Sequence, residues 1–180
     1  MLRLSRQLIN LAVAFLCATV TTVLAEDISF PTRDGTRPAT TQGVPHVQLG
    51  VEPVPELVER MLSRVAEFPG VSLGPTRVSL PGTVGFQLDD DVALAKPNAI
   101  VSGREFAHVH PDGSLHASLD PEIARAAVHA GWATPHPWAD QRPNLEGFVM
   151  IYTPLFDAEL DVVLRLLKNA YFFVTGRPVP

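Results

Sequence analysis

Cysteine is nearly absent from this sequence of 180 residues: there is one, Cys17, inside an apolar segment near the N-terminus. The chain beyond that segment therefore has no disulfide, no cysteine–metal site and no thiolate nucleophile. Its stability must come from the packing of a hydrophobic core, and the chain is long enough to build one in a single domain.

Basic residues are also few, with 14 lysines and arginines against 19 aspartates and glutamates and a formal net charge of −5. An acidic chain lacks the positive surface that binds nucleic acid or an anionic membrane. A glycine-rich phosphate loop and a serine in a nucleophile elbow are missing too, which argues against nucleotide binding and hydrolysis. We expect a small-molecule ligand or substrate as partner, with no nucleic acid and no membrane beyond an N-terminal anchor.

The N-terminal segment predicts export. Arg3 and Arg6 precede the almost wholly apolar residues 8–24, and Ala25 ends a stretch that suits a signal peptidase. Residues 1–25 are predicted to be a signal peptide, with a membrane anchor as the alternative. The protein is therefore expected to be secreted or periplasmic. Residues 26–53, rich in proline, threonine and glycine, are predicted to form an extended arm.

Residues 54–180 show the hydrophobic periodicity of one α+β domain. The pattern predicts, in chain order, a helix over 55–68, strands over 71–80 and 83–89, a strand hairpin over 104–119, a helix over 120–131, a strand over 147–153 and a helix over 157–176. This order predicts a mainly antiparallel sheet with the helices packed on one face.

The predicted hairpin holds half of the six histidines, and a turn signal lies in its middle. Pro111-Asp112-Gly113 favours a type I turn closed by a glycine bulge. In that register His108 faces His116, and His110 lies beside them on the same face of the sheet.

Alternation along the strands also assigns the neighbours of these histidines. It places Phe106 and Ser118 on the histidine face and Glu105 on the other face, so Glu105 is not expected to be a ligand. His136, between two prolines in an aromatic loop, is expected to be a fourth member of the cluster.

Three imidazoles on one face allow three interpretations. They suit a divalent transition metal held by three protein ligands with one position open, which makes His108, His110 and His116 candidate metal ligands. They also suit proton transfer without a metal. The third interpretation makes them polar pairs on a solvent-facing strand, and the sequence leaves all three open.

Several short motifs are similar to those of the luciferase-domain family, which contains fungal luciferase and bacterial relatives. These motifs are Arg104-Glu105-Phe106-Ala107-His108-x-His110, Leu115-His116, Gly131-Trp132, His136-Pro137, Tyr152-x-Pro154 and, upstream, Gly35-Thr36-Arg37-Pro38. Fungal luciferase adds dioxygen to a hydroxylated styryl-pyrone. The resemblance implies a pocket for a small enolic or phenolic, pyrone-like molecule, with dioxygen as co-substrate.

The leading hypothesis is an exported oxygenase-type enzyme that uses the histidine cluster. A divalent transition metal is its candidate cofactor. Proton transfer and charge stabilisation are assigned to candidate catalytic residues, namely His108, His110, His116 and Arg104. Substrate contacts are assigned to Arg37, Trp132, His136 and Tyr152. The alternative is a non-catalytic small-ligand or metal-binding module of the cell envelope.

Overall fold

Three amphipathic helices form the helical layer of the structure, a computed structural model that describes residues 29–180. They are α1 (Pro55–Ala66), α2 (Pro121–His129) and α3 (Asp157–Thr175). The first two begin with proline, whose fixed φ suits the first turn of a helix. Gly176 ends α3 in the left-handed conformation, with φ 71°, as the sequence predicted.

Of the eight strands within residues 29–180, six form one antiparallel sheet in the order β3-β4-β5-β6-β8-β7, and β1 and β2 form a separate pair. The strands are β1 (Ala39–Thr40), β2 (Gln48–Leu49), β3 (Val71–Pro75), β4 (Val84–Leu88), β5 (Glu105–Val109), β6 (Leu115–Ser118), β7 (Ala133–Pro135) and β8 (Phe148–Ile151). The short strands β1, β2 and β7 were not predicted.

The core lies between one face of this sheet and the three helices. Val109, Leu115 and Ile151 project from the sheet into it, and Val163 and Leu167 of α3 meet them, all nearly inaccessible to solvent. The predicted α+β class, a mainly antiparallel sheet with helices on one face, is confirmed. The histidines of β5 and β6 lie on the opposite face of the sheet.

A bulge at the start of β5 changes the predicted assignment of two side chains. The pairing of β4 with β5 shifts between Phe86 and Gln87, so that Phe106 is the extra residue. Phe106 therefore turns into the core, where its ring lies 6.0 Å from that of Tyr171. Glu105 turns onto the histidine face. The predicted positions of Phe106 and Glu105 were wrong, because strict alternation does not continue through a bulge.

Residues 29–53 are held against the domain by a buried ion pair. Arg33 donates through Nε to Glu159 Oε1 at 2.9 Å, and both side chains are almost fully buried. The backbone nitrogen of Arg33 also donates to the carbonyl of Ala130 at 2.8 Å. These contacts hold the segment at the end of α2 and the start of α3, and its only regular structure is the β1–β2 pair.

The predicted signal peptide, residues 1–25, lies outside the described residues. Within residues 29–180, no helix combines the length and the apolar composition needed to cross a membrane.

Candidate functional site

The hairpin of β5 and β6 has the register that its turn predicted. His108 pairs with His116, and the backbone nitrogen of His110 donates to the carbonyl of Ser114 at 2.8 Å. Gly113 has φ 78°, the left-handed conformation that the glycine bulge requires. The rings of His108 and His110 lie with their centroids 5.1 Å and 4.7 Å from that of His116.

Two further imidazoles complete a cluster of five, which we call the histidine cluster: His46, His108, His110, His116 and His136. His136 was predicted as a member, and its ring centroid lies 4.7 Å from that of His116. His46 comes from the segment before β2 and stacks on His116 at 5.4 Å, with the two rings 9° from parallel. Each of the five side chains is at most 5 % exposed, which rules out the interpretation as solvent-facing polar pairs.

A chain of hydrogen bonds runs from a carboxylate through three of the imidazoles. Glu105 Oε1 lies 2.8 Å from His108 Nδ1, His108 Nε2 lies 3.1 Å from His116 Nδ1, and His116 Nε2 lies 3.3 Å from His46 Nδ1. An ionised carboxylate can only accept, so His108 carries its proton on Nδ1 whenever it is neutral. The bulge that brings Glu105 to this face thus fixes the tautomer of His108.

The carboxylate of Glu105 is itself held by three other donors. Thr76 Oγ1 at 2.8 Å, the backbone nitrogen of Arg77 at 3.1 Å and Gln87 Nε2 at 2.8 Å all donate to it. Burial alone raises the pKa of this carboxyl, but the hydrogen bonds from His108, Thr76 and Arg77 outweigh burial and lower the pKa below its usual value. Glu105 is therefore an anion buried beneath the cluster.

The tautomers of two more imidazoles follow from their partners. The hydroxyl of Ser114 donates to Asp112 Oδ1 at 2.7 Å, so its oxygen is left to accept from His110 Nδ1, 3.0 Å away. The two ring nitrogens of His136 have the opposite roles, because its Nδ1 accepts a hydrogen bond from the backbone N–H of Trp138 at 3.0 Å. Neutral His110 thus has its lone pair on Nε2, whereas neutral His136 carries its proton there.

Burial favours the neutral form of four imidazoles of the cluster, those of His46, His110, His116 and His136. Burial and then the neighbouring His108 lower the pKa of His110 to about 4, and burial and then His46 lower that of His136 to about 3. Burial, reinforced by His110 and other neighbouring imidazoles, lowers the pKa of His116 well below its ordinary value, and burial lowers that of His46. Neutral imidazoles can bind a metal ion or accept a proton.

A cavity of about 240 Å³ opens on the cluster. Four of the imidazoles line it, those of His46, His108, His116 and His136, while His110 lies behind them. The remaining wall is largely apolar, with Ser79 adding one hydroxyl group, and its other members are Val44, Pro45, Val47, Val78, Leu80, Val101, Trp138 and Phe148. A small number of polar groups in an apolar cavity is the usual composition of a small-molecule site.

Two predicted arginines lie away from this cavity. Arg104 donates to the backbone carbonyls of Leu88 and Val92 and so holds the loop that follows β4. Arg37 is exposed and donates to the carbonyl of His129 at the end of α2. Neither guanidinium is positioned to contact a ligand bound beside the histidines.

The predicted aromatic contacts, Trp132 and Tyr152, also form a separate group. Both rings flank the guanidinium of Arg33, at 5.8 Å and 5.6 Å from its central carbon, beside Glu159. Trp132 Nε1 donates to the carbonyl of Pro31 at 2.6 Å. Of the four predicted substrate contacts, the structure therefore brings only His136 to the cavity.

Comparison with known proteins gives one match. Residues 103–170 match the family model described as the luciferase domain. The match confirms the predicted resemblance to the luciferase-domain family. It includes β5, β6 and the loop of His136, and so four of the five clustered histidines lie within the luciferase-domain match, with His46 outside it. No curated protein and no solved structure matches the chain.

Proposed function

We propose that this protein is an exported oxygenase-type enzyme, which acts on a small enolic or phenolic, pyrone-like compound bound in the cavity of the histidine cluster. The observation that carries the proposal is that the luciferase-domain match supplies three of the four imidazoles lining an otherwise apolar cavity. Export rests on the sequence of residues 1–25 alone.

The size and chemistry of the cavity fit this class of compound. A cavity of about 150 Å³ already takes up benzene, so one of about 240 Å³ has room for a substituted ring. The apolar wall would hold the ring, and the imidazoles would face its hydroxyl group.

Two roles follow from the protonation of the imidazoles. His136, whose Nε2 carries the proton, can donate to the enolate oxygen and so stabilise its charge, a role for which the sequence suggested Arg104. A neutral imidazole with a free lone pair can accept the enol proton. The enolate would supply the electron pair for a carbon–oxygen bond to dioxygen, and the peroxide anion formed would take the proton back from the imidazolium. The imidazoles of the cluster are almost fully buried, which strengthens their interactions with a bound anion.

Oxygen uptake tests the proposal. A panel of hydroxypyrones and catechols is incubated with the purified protein, and dissolved oxygen and remaining compound are measured together. We expect both to fall, and His108→Ala to slow the reaction by about 100-fold or more. His129→Ala, at the exposed end of α2, is the matched control and should react like the parent.

The alternative is a non-catalytic small-ligand or metal-binding module. It predicts that panel compounds raise the melting temperature by mass action without being consumed. A concentration-dependent shift with no oxygen uptake would therefore replace the enzyme proposal with the binding module.

A further inference from the structure

We infer that the histidine cluster binds one divalent transition metal ion through His108 Nε2, His110 Nε2 and His116 Nδ1, with the fourth coordination position open to the cavity. The inference concerns binding of the metal alone. It stands or falls separately from the oxygenase reaction.

Two sets of histidines are close enough to share an ion. In the set of His108, His110 and His116, and in the rival set of His46, His116 and His136, one nitrogen from each residue lies within 4.8 Å of the other two. Two nitrogens bound to one tetrahedral zinc at 2.0–2.1 Å lie about 3.3 Å apart. The 3.1 Å between His108 Nε2 and His116 Nδ1 is close to this spacing.

Protonation separates the two sets. A histidine ligand coordinates through a lone pair on one nitrogen and donates from the other, commonly to a carboxylate or a carbonyl. His136 does not fit, since its Nδ1 lone pair is engaged by the backbone N–H of Trp138 and its Nε2 carries the proton. The rival set would have to break that hydrogen bond.

The preferred set has the required partner behind each ligand. Glu105 accepts from His108 Nδ1 at 2.8 Å, so the lone pair of neutral His108 lies on Nε2, where the ion would replace the hydrogen bond to His116 Nδ1. Ser114, oriented by Asp112, accepts from His110 Nδ1 at 3.0 Å and leaves His110 Nε2 free. These partners select the tautomer that a metal requires before any ion arrives.

His116 completes the set through its other neighbour. When Nδ1 of His116 coordinates, its Nε2 carries the proton and donates to His46 Nδ1, 3.3 Å away. His46 is then a positioning residue that orients His116 and does not itself bind the ion. All three ligands thus have an acceptor on the nitrogen that faces away from the metal.

The open position faces the cavity because His108 and His116 line it while His110 lies behind. Three histidines with one exchangeable position is the arrangement of catalytic metal sites, in contrast to the closed four-ligand arrangement of structural ones. Imidazole ligands suit zinc, iron, copper and nickel, so the ion belongs to this class. An oxygen anion such as water-derived hydroxide or an enolate is the ligand that the open position would accept.

Metal-free protein is titrated with cobalt(II), followed by its visible absorption, and the bound metal is counted by mass spectrometry after zinc loading. We expect about one ion per chain in the parent protein and in His136→Asn, and none in His110→Asn. Glu105→Gln should weaken binding by about 10- to 100-fold, because it weakens the acceptor behind His108. Circular dichroism confirms that each variant is folded.

Comparison of His110→Asn with His136→Asn distinguishes the two sets of ligands, because each residue belongs to only one of them. Absence of binding in the parent protein overturns the inference, and this result does not depend on any variant. Retention of binding in His110→Asn, or loss in a folded His136→Asn, overturns it as well. Oxygen uptake measured on the same metal-free and loaded samples reports on the proposed function separately.

Discussion

Acidification of the metal-free protein should destabilise the fold through the buried imidazoles. His110 is neutral in the folded state at pH values where the same side chain in the unfolded chain is already protonated. The unfolded state therefore binds more protons below the ordinary histidine pKa, and the free energy of unfolding falls as the pH falls. The contribution is complete above about pH 6.5 and is lost progressively down to the folded pKa of about 4.

The magnitude follows from the two pKa values. With about 6.5 in the unfolded chain and about 4 in the folded one, His110 alone lowers the free energy of unfolding by about 2 kcal/mol between about pH 7.5 and about pH 5. His136, with a folded pKa of about 3, contributes about the same over this interval. The side chains are 3 % and 4 % exposed, so solvent screens these effects little.

Urea unfolding at the two pH values, in the presence of a chelator, measures this loss. The informative quantity is the difference between the parent protein and His110→Asn, since the contributions of titrating groups outside the histidine cluster cancel. His129→Asn, on the exposed end of α2, should keep the full pH dependence of the parent. If His110→Asn and the parent lose the same free energy on acidification, the reasoning from burial is refuted.

Three other perturbations test the architecture around the site. Glu159→Ala should lower the free energy of unfolding by about 3 kcal/mol or more in chemical denaturation, because it leaves the buried guanidinium of Arg33 without its carboxylate; an unchanged midpoint would contradict this. Gly147→Ala should abolish or severely impair folding, judged by circular dichroism, because a Cβ at this position would lie 1.9 Å from the carbonyl oxygen of Leu119. If the protein is an oxygenase whose base is His110, His116 or His136, its rate should be nearly constant between about pH 6 and about pH 8, because burial holds the pKa of these imidazoles well below its ordinary value; a steep rise over this interval in stopped-flow assays would show that the working base is none of these three.

The hairpin could be predicted from the sequence because a local signal determines it. Pro111-Asp112-Gly113 fixes the loop, and the loop fixes which residues face each other, so His108 and His116 follow without knowledge of the rest of the chain. The C-terminal ends of α2 and α3, at Gly131 and Gly176, could also be predicted, because each depends on a local sequence signal. Features of this kind depend on a few consecutive residues and are largely independent of tertiary packing.

Two parts of the site could not be predicted, for different physical reasons. Glu105 reaches the cluster through a bulge, which the pairing of β4 with β5 creates and which no pattern within β5 indicates. His46 and Gln48 are buried while Leu49 beside them is exposed, the reverse of the pattern by which hydrophobicity identifies the inner face of a strand. Sequence periodicity predicts which residues pack in an apolar core, but it does not predict which polar residues are buried in a site such as the histidine cluster.

The cavity has two walls that come from different parts of the chain. His108, His116 and His136 belong to the luciferase-domain match, whereas much of the apolar wall comes from residues 44–47 and 78–80, which precede it. Three of the histidines that line the cavity and much of its apolar wall thus come from separate portions of the sequence. For the proposed enzyme, we expect mutant libraries confined to residues 44, 47 and 78–80 to alter which compounds enter the cavity, while the tautomers set by Glu105 and Ser114 stay intact.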